Sequence, residues 1–105
     1  MPNATLAERL LRQVEPLAAL STLHLAPQTR QRLWDGTLSV PAYSNDYGGF
    51  VHVGECADIV PAEPDLAVIR ALARQAGLAW LKFDADAGVV DGLATYAEAE
   101  AGVSA

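Results

Sequence analysis

Apolar positions at the start of the chain recur at helical spacing. Thr5 is followed three residues later by Glu8, and Leu6, Leu10, Leu11 and Val14 fall on one stripe. A Thr with Glu at its third following position is a capping box, and the stripe behind it predicts an amphipathic helix that Pro16 ends. Leu17 to Leu25 is an apolar run interrupted by Ser21, Thr22 and His24, which reads as a buried first strand whose polar residues gather at its exit. Pro27 suits a first helical position and Gly36 the position past a last one. Residues 27–35 therefore predict a short helix exposing Arg30 and burying Leu33, with Trp34 a further candidate for burial.

Two strand-like pieces, Thr37 to Ala42 and Gly49 to Val53, flank Ser44, Asn45 and Asp46, whose side chains favour turns, so the pair predicts a hairpin. Cys56 to Pro64 reads as a loop punctuated by Pro61 and Pro64. Pro64 to Ala76 carries the clearest helical pattern. Asp65 lies in its first turn, Arg74 in its last, Gly77 beyond it, and Leu66, Ile69, Leu72, Ala73 and Ala76 on one side. Leu78 to Phe83 is nearly continuous in apolarity, which predicts a central strand covered on both faces. Ala97 to Ala105 has little to bury and reads as a disordered tail.

These elements make a single domain over 1–105: an N-terminal helix (1–16), an α+β core (17–96) and the tail (97–105). After the first helix the order is strand, helix, strand, strand, helix, strand, the split βαβ order of ferredoxin-like folds. It predicts a four-stranded, mainly antiparallel sheet with two packing helices and an extra N-terminal helix.

Composition narrows the function. A chain of 105 residues supports one hydrophobic core. The formal net charge of −6 argues against general nucleic-acid binding, which needs a cationic surface to displace counterions. No run approaches the roughly 20 apolar residues of a membrane span, and the start lacks the pattern of a signal peptide. Cys56 is the sole cysteine and suits a reducing compartment, so the expectation is a cytoplasmic protein without membrane contact. The bias to Arg over Lys, together with abundant alanine, suits a GC-rich bacterial genome. Acidic residues cluster in two stretches without basic neighbours: Asp46, Glu55, Asp58, Glu63 and Asp65, then Asp84, Asp86, Asp91, Glu98 and Glu100. Together in space they would form a negative face; apart they are a solvated, self-repelling surface.

The candidate chemistry is sparse. His24 at the end of the first strand and Asp84 and Asp86 at the end of the last could hold a divalent cation, since carboxylates suit Mg²⁺ or Mn²⁺ and imidazole suits transition metals. The site requires those strands to run parallel. In a ferredoxin-like sheet they are antiparallel, and the three residues are then a polar strand exit and an Asx turn before Gly88. No other cofactor is indicated. Cys56 follows His52 by four residues with Asp58 close by, a conceivable thiol nucleophile, though such pairs are assembled spatially, a lone Cys more often fills a small buried gap, and His52 alternates with Val51 and Val53 as a solvent-facing strand residue. Ser21 and His24 lie on opposite faces of a strand, which excludes a hydrolase pair. The Gly48-Gly49 pair is followed by no GK[ST] and opens no helix, so tight backbone geometry accounts for it better than a phosphate loop. Tyr43, Tyr47 and Phe50 crowd aromatic rings around the hairpin, where they either anchor a protein interface or close the core.

Three segments carry a family resemblance: Leu20-Ser21-Thr22-Leu23-His24-Leu25 with Thr29, Gly48-Gly49-Phe50-Val51, and Trp80-Leu81-Lys82-Phe83-Asp84-Ala85-Asp86. With these spacings, residues 17–96 resemble a small family of uncharacterised proteins, a domain of unknown function found on bacterial plasmids and other mobile elements. The resemblance implies an accessory role on a mobile element and brings no activity, ligand or catalytic residue.

The leading expectation is a small acidic accessory protein that binds a protein partner through Tyr43, Asp46, Tyr47, Phe50, Asp58 and Glu63. One form of it is an anti-defence inhibitor whose acidic face imitates DNA. The alternatives are a metal-dependent hydrolase built on His24, Asp84 and Asp86, and a small-ligand sensor with Trp34 or Trp80 in a pocket between sheet and helices.

Overall fold

The computed structural model describes residues 2–54 and 60–96; Cys56, Asp58 and the tail from 97 onward lie outside them. The elements run α1 (Pro2–Leu11), β1 (Leu17–Ser21), a 3-10 turn (Thr22–His24), α2 (Pro27–Asp35), β2 (Ala42–Asn45), β3 (Gly48–His52), α3 (Pro64–Gln75) and β4 (Trp80–Asp84). The fold is α+β, with one four-stranded mixed sheet in the order β1-β4-β3-β2. β4 pairs parallel with β1 and antiparallel with β3, which pairs antiparallel with β2.

This order departs from the ferredoxin-like expectation, because β4 lies between β1 and β3 and runs parallel to β1. The path of the chain around α3 explains it. Asp65, in the first turn of α3, accepts a hydrogen bond from the Ala26 N–H at 2.7 Å, just past the exit of β1. α3 therefore starts at the end of the sheet where Ser21 pairs with Asp84. Its twelve residues, about 18 Å of helix, return the chain to the end where His52 pairs with Trp80. β3 ends at that same end, with His52, so the chain re-enters the sheet beside the end of β3 and runs antiparallel to it.

The core lies between one face of the sheet and the helices α2 and α3. Leu20, Val51, Leu81 and Phe83 point inward at alternating positions and meet Leu33 of α2 and Leu66, Ile69 and Ala73 of α3. β4 is central, as continuous apolarity suggests, but it is covered on one face only. Leu81 and Phe83 are buried, whereas Trp80, Lys82 and Asp84 are half-buried on the opposite face. Two glycines let the strands close up. A Cβ on Gly48, whose φ is 149°, would collide with the Phe83 carbonyl oxygen, and one on Gly49 would meet the Tyr43 carbonyl oxygen at 2.7 Å and Leu33 at 2.9 Å.

Three local expectations are corrected. β2 begins at Ala42 rather than Thr37, because Pro41 cannot donate to a ladder and Ser39 is committed to Glu63. Leu38 and Val40 still pack on the core, which gives the stretch its strand-like alternation. Trp34 is 62% exposed. The first helix begins at Pro2 and ends at Leu11, so Thr5 lies inside it instead of capping it, and Leu6, Leu10, Leu11 and Val14 remain exposed.

Candidate functional site

The face of the sheet turned away from the helices carries the largest concentration of aromatic side chains. Strand alternation puts Leu17 and Ala19 of β1, Trp80, Lys82 and Asp84 of β4, Phe50 and His52 of β3, and Tyr43 of β2 on this side. Register aligns them in two rows: Leu17, Trp80 and His52 across the first, and Ala19, Lys82, Phe50 and Tyr43 across the second.

The rings touch. His52 meets Trp80 edge-on with centroids 4.8 Å apart, and Tyr43 lies 6.2 Å from Trp80 at 46°. Both separations fall within the range of favourable aromatic pairs. The Lys82 ammonium is 6.0 Å from the Phe50 centroid and 3.6 Å from an Asp84 carboxylate oxygen. Leu17, Tyr43, Phe50 and Trp80 line a shallow apolar groove of about 310 Å³. At its margin the Trp80 indole N–H donates to Glu15 at 2.8 Å, which fixes the ring that lines the groove.

One end of this face is acidic. The Ala85 N–H donates to the Tyr47 carbonyl at 2.9 Å, tying the β2–β3 turn to the exit of β4. Asp46, Asp84 and Asp86 thereby share an end of the sheet with Tyr47, which is 61% exposed. Both turns are built by Asx geometry: Asn45 Oδ1 accepts from the Tyr47 N–H at 2.9 Å, and Asp84 Oδ1 from the Asp86 N–H at 2.8 Å.

Of the residues expected to bind a partner, Tyr43, Phe50, Tyr47 and Asp46 fall on the face or its acidic rim. Glu63 does not. It is 6% exposed and receives the Ser39 hydroxyl at 2.6 Å, the Ser39 N–H at 3.2 Å and Arg32 at 3.5 Å. Burial by itself would raise the pKa of this carboxyl, but the hydrogen bonds and the Arg32 guanidinium together carry it below the usual Glu value. Glu63 latches the segment after α2 to the start of α3.

The structure disperses the proposed metal ligands even though β1 and β4 are parallel. His24 is 1% exposed and turns into the interior. Its Nε2 accepts from the Val90 N–H at 2.8 Å, so Nδ1 carries the proton and donates to the Ala94 carbonyl, also at 2.8 Å. Neither ring nitrogen is left to bind a metal. Among the described residues no group of three or more His, Cys, Asp or Glu side chains is placed to hold an ion. Ser21 Oγ accepts from the Leu23 N–H at 3.0 Å and caps the 3-10 turn. An apolar groove of about 380 Å³ does lie between β1, α3 and residues 90–93, but neither tryptophan lines it.

Leu17 is a member of the face that carries no reactive group, and His52 and Trp80, candidates above for a thiol pair and a pocket wall, belong to it instead as packed rings. The signal for them is parity: Trp80 shares its strand face with Lys82 and Asp84, two charges that mark that face as wet.

No helix among the described residues is long and apolar enough to cross a membrane. No curated protein and no solved structure matches the chain. Residues 17–98, which hold the whole sheet, α2 and α3, match the family of unknown function DUF5983, C-terminal domain, and the chain belongs to that family.

Proposed function

We propose that this domain is a protein-interaction module that docks a partner on the open face of its sheet. The observation that carries this reading is the unroofed set of Leu17, Tyr43, Phe50, His52 and Trp80 with an acidic rim at one end. Contiguous rings on a rigid sheet supply contact area at little entropic cost, and a carboxylate rim selects by charge. The partner that fits is a segment with apolar side chains for the groove and Lys or Arg for Asp46, Asp84 and Asp86. An accessory role on a mobile element, including inhibition of a defence protein, is compatible with this mode of action and rests on the family resemblance alone. Among the described residues the rim offers the carboxylates of Asp46, Asp84 and Asp86, and this spacing beside an apolar groove favours recognition of a basic-apolar segment over DNA mimicry.

Panning a displayed-peptide library on the full chain tests the proposal. Selected peptides should combine aliphatic or aromatic residues with Lys or Arg, and Trp80→Ala should weaken them about 30-fold, the effect of losing a hot spot of about 2 kcal/mol. Peptides that bind Trp80→Ala and Tyr43→Ala as tightly as the wild type would place docking elsewhere.

A further inference from the structure

β1 is the outer strand of the sheet, and its hydrogen-bonding parity is fixed from both ends. The Pro16 carbonyl accepts from the Ala79 and Trp80 N–H groups at 2.9 and 3.2 Å, so even-numbered positions turn toward β4. The Ser21 N–H donates the other way, to the Gly88 carbonyl at 3.0 Å, so odd-numbered positions turn outward. Leu17 and Ala19 thus present their N–H and C=O groups outward, and no hydrogen bond to them is formed among the described residues. Bare edges are usually blunted by Lys, Pro or a bulge. The strand Leu-Ala-Ala-Leu-Ser has none of these.

We propose that this edge pairs with the same edge of a second copy of the chain, in antiparallel register about a two-fold axis through Ala18. The open stretch is bounded by Pro16 and by the Ser21–Gly88 bond, which leaves two outward residues. Two is what a self-complementary pairing uses: Leu17 opposite Ala19 of the second copy, and Ala19 opposite its Leu17, with four backbone hydrogen bonds.

The same geometry covers two further surfaces. Antiparallel pairing directs α1 of one copy toward the Ser21 end of the other, where Leu20, Ile69, Val90 and Leu93 line part of the apolar groove beside β1. Leu6, Leu10 and Val14 are 56%, 70% and 66% exposed, and among the described residues no apolar surface of their own copy covers them. Arg9 on that helix and Arg12 in the turn after it complement Asp91 at the groove. The aromatic face stays open on both copies, so this inference stands apart from the docking proposal.

Sedimentation equilibrium of the full chain should give twice the 11.1 kDa monomer mass at micromolar concentration. Ala19→Pro removes an outward N–H without touching the β1–β4 ladder and should raise the dimer dissociation constant at least tenfold. Ala19→Lys, which charges the edge without a backbone constraint, should do the same if the proline variant fails to fold. Register is read separately in a Cys56→Ser background. Positions 18 of the two copies form a non-hydrogen-bonded pair with Cα atoms about 4.5 Å apart, within disulfide reach. Ala18→Cys should therefore cross-link at least tenfold faster than Ala19→Cys. A wild-type chain that sediments as a monomer at millimolar concentration overturns the proposal, as does a dimer indifferent to the position 19 changes. Equal cross-linking rates would overturn the register and with it the two-fold pairing.

Discussion

His24 shows how a residue type can suggest chemistry while its environment assigns it to structure. Both ring nitrogens bind backbone groups of the segment that follows β4, at Val90 and Ala94, and a third bond from the Tyr96 N–H to the Leu23 carbonyl at 2.7 Å closes the same seam. Replacing the imidazole by a leucine side chain, His24→Leu, would keep volume but leave the Val90 N–H and Ala94 C=O without partners. The expected cost is about 2–4 kcal/mol, seen by urea denaturation, with the Val90 amide losing hydrogen-exchange protection before the strands do. At Gly48 the constraint is space. Gly48→Ala puts a methyl against the Phe83 carbonyl and should cost about 3 kcal/mol or more, with loss of protection centred on the β3–β4 pair. The role of His24 is not visible in the sequence, whereas the Gly48-Gly49 pair indicates tight backbone geometry without naming the strand it approaches. A histidine near a strand exit and a Gly-Gly pair are compatible with several functions until their neighbours are known.

At the scale of elements, α2 and α3 are joined through carboxylates. Asp65 accepts from the Ala26 N–H and, at 2.8 Å, from the Thr29 hydroxyl, satisfying donors at the N-terminus of α2. Glu63 holds Ser39, whose hydroxyl in turn receives the Ala62 N–H at 2.8 Å. The lowered pKa of Glu63 makes this latch sensitive to acid. Because the folded value lies below the unfolded reference of 4.5, its contribution is present in full above that pH and is lost as pH falls through the folded value. Stability measured by urea denaturation from neutral pH to about pH 3 should decline less steeply at the acid end in Glu63→Gln than in the wild type. Glu63→Ala should cost about 2 kcal/mol at neutral pH by stranding the Ser39 donors.

The elements themselves follow from periodicity. Pro27 and Gly36 bracket α2, Pro64 and Gly77 bracket α3, and the inward parity of Leu81 and Phe83 is set by the alternation of β4. The order of the strands does not follow. It depends on where the chain travels between β3 and α3, and a link without periodicity carries no signal of direction. The expectation that Glu63 belongs to an exposed acidic patch fails for a related reason: charge in a sequence has sign but no depth.

For the whole molecule the main fact is asymmetry. Among the described residues one face of the sheet is roofed by two helices and the other by none, although it carries Trp80, Tyr43, Phe50, His52 and Leu17. Phe50 and Trp80 are half-buried there and Tyr43 and Leu17 exposed, so a partner gains by burying the area that remains, at about 25 cal/mol per Å² of apolar surface. The aromatic residues of the hairpin point to the site from sequence alone, but their convergence with Trp80 requires β3 and β4 to be neighbours, which only the topology supplies. The most direct test is a two-dimensional ¹⁵N NMR titration of the full chain with a panning-selected basic-apolar peptide. The account predicts that the Trp80 indole N–H, released from or shifted against Glu15, and the amides of Leu17, Tyr43, Phe50 and His52 move first and furthest. Perturbations confined to the outer surfaces of α2 and α3, with the Trp80 indole signal unmoved at saturation, would contradict it.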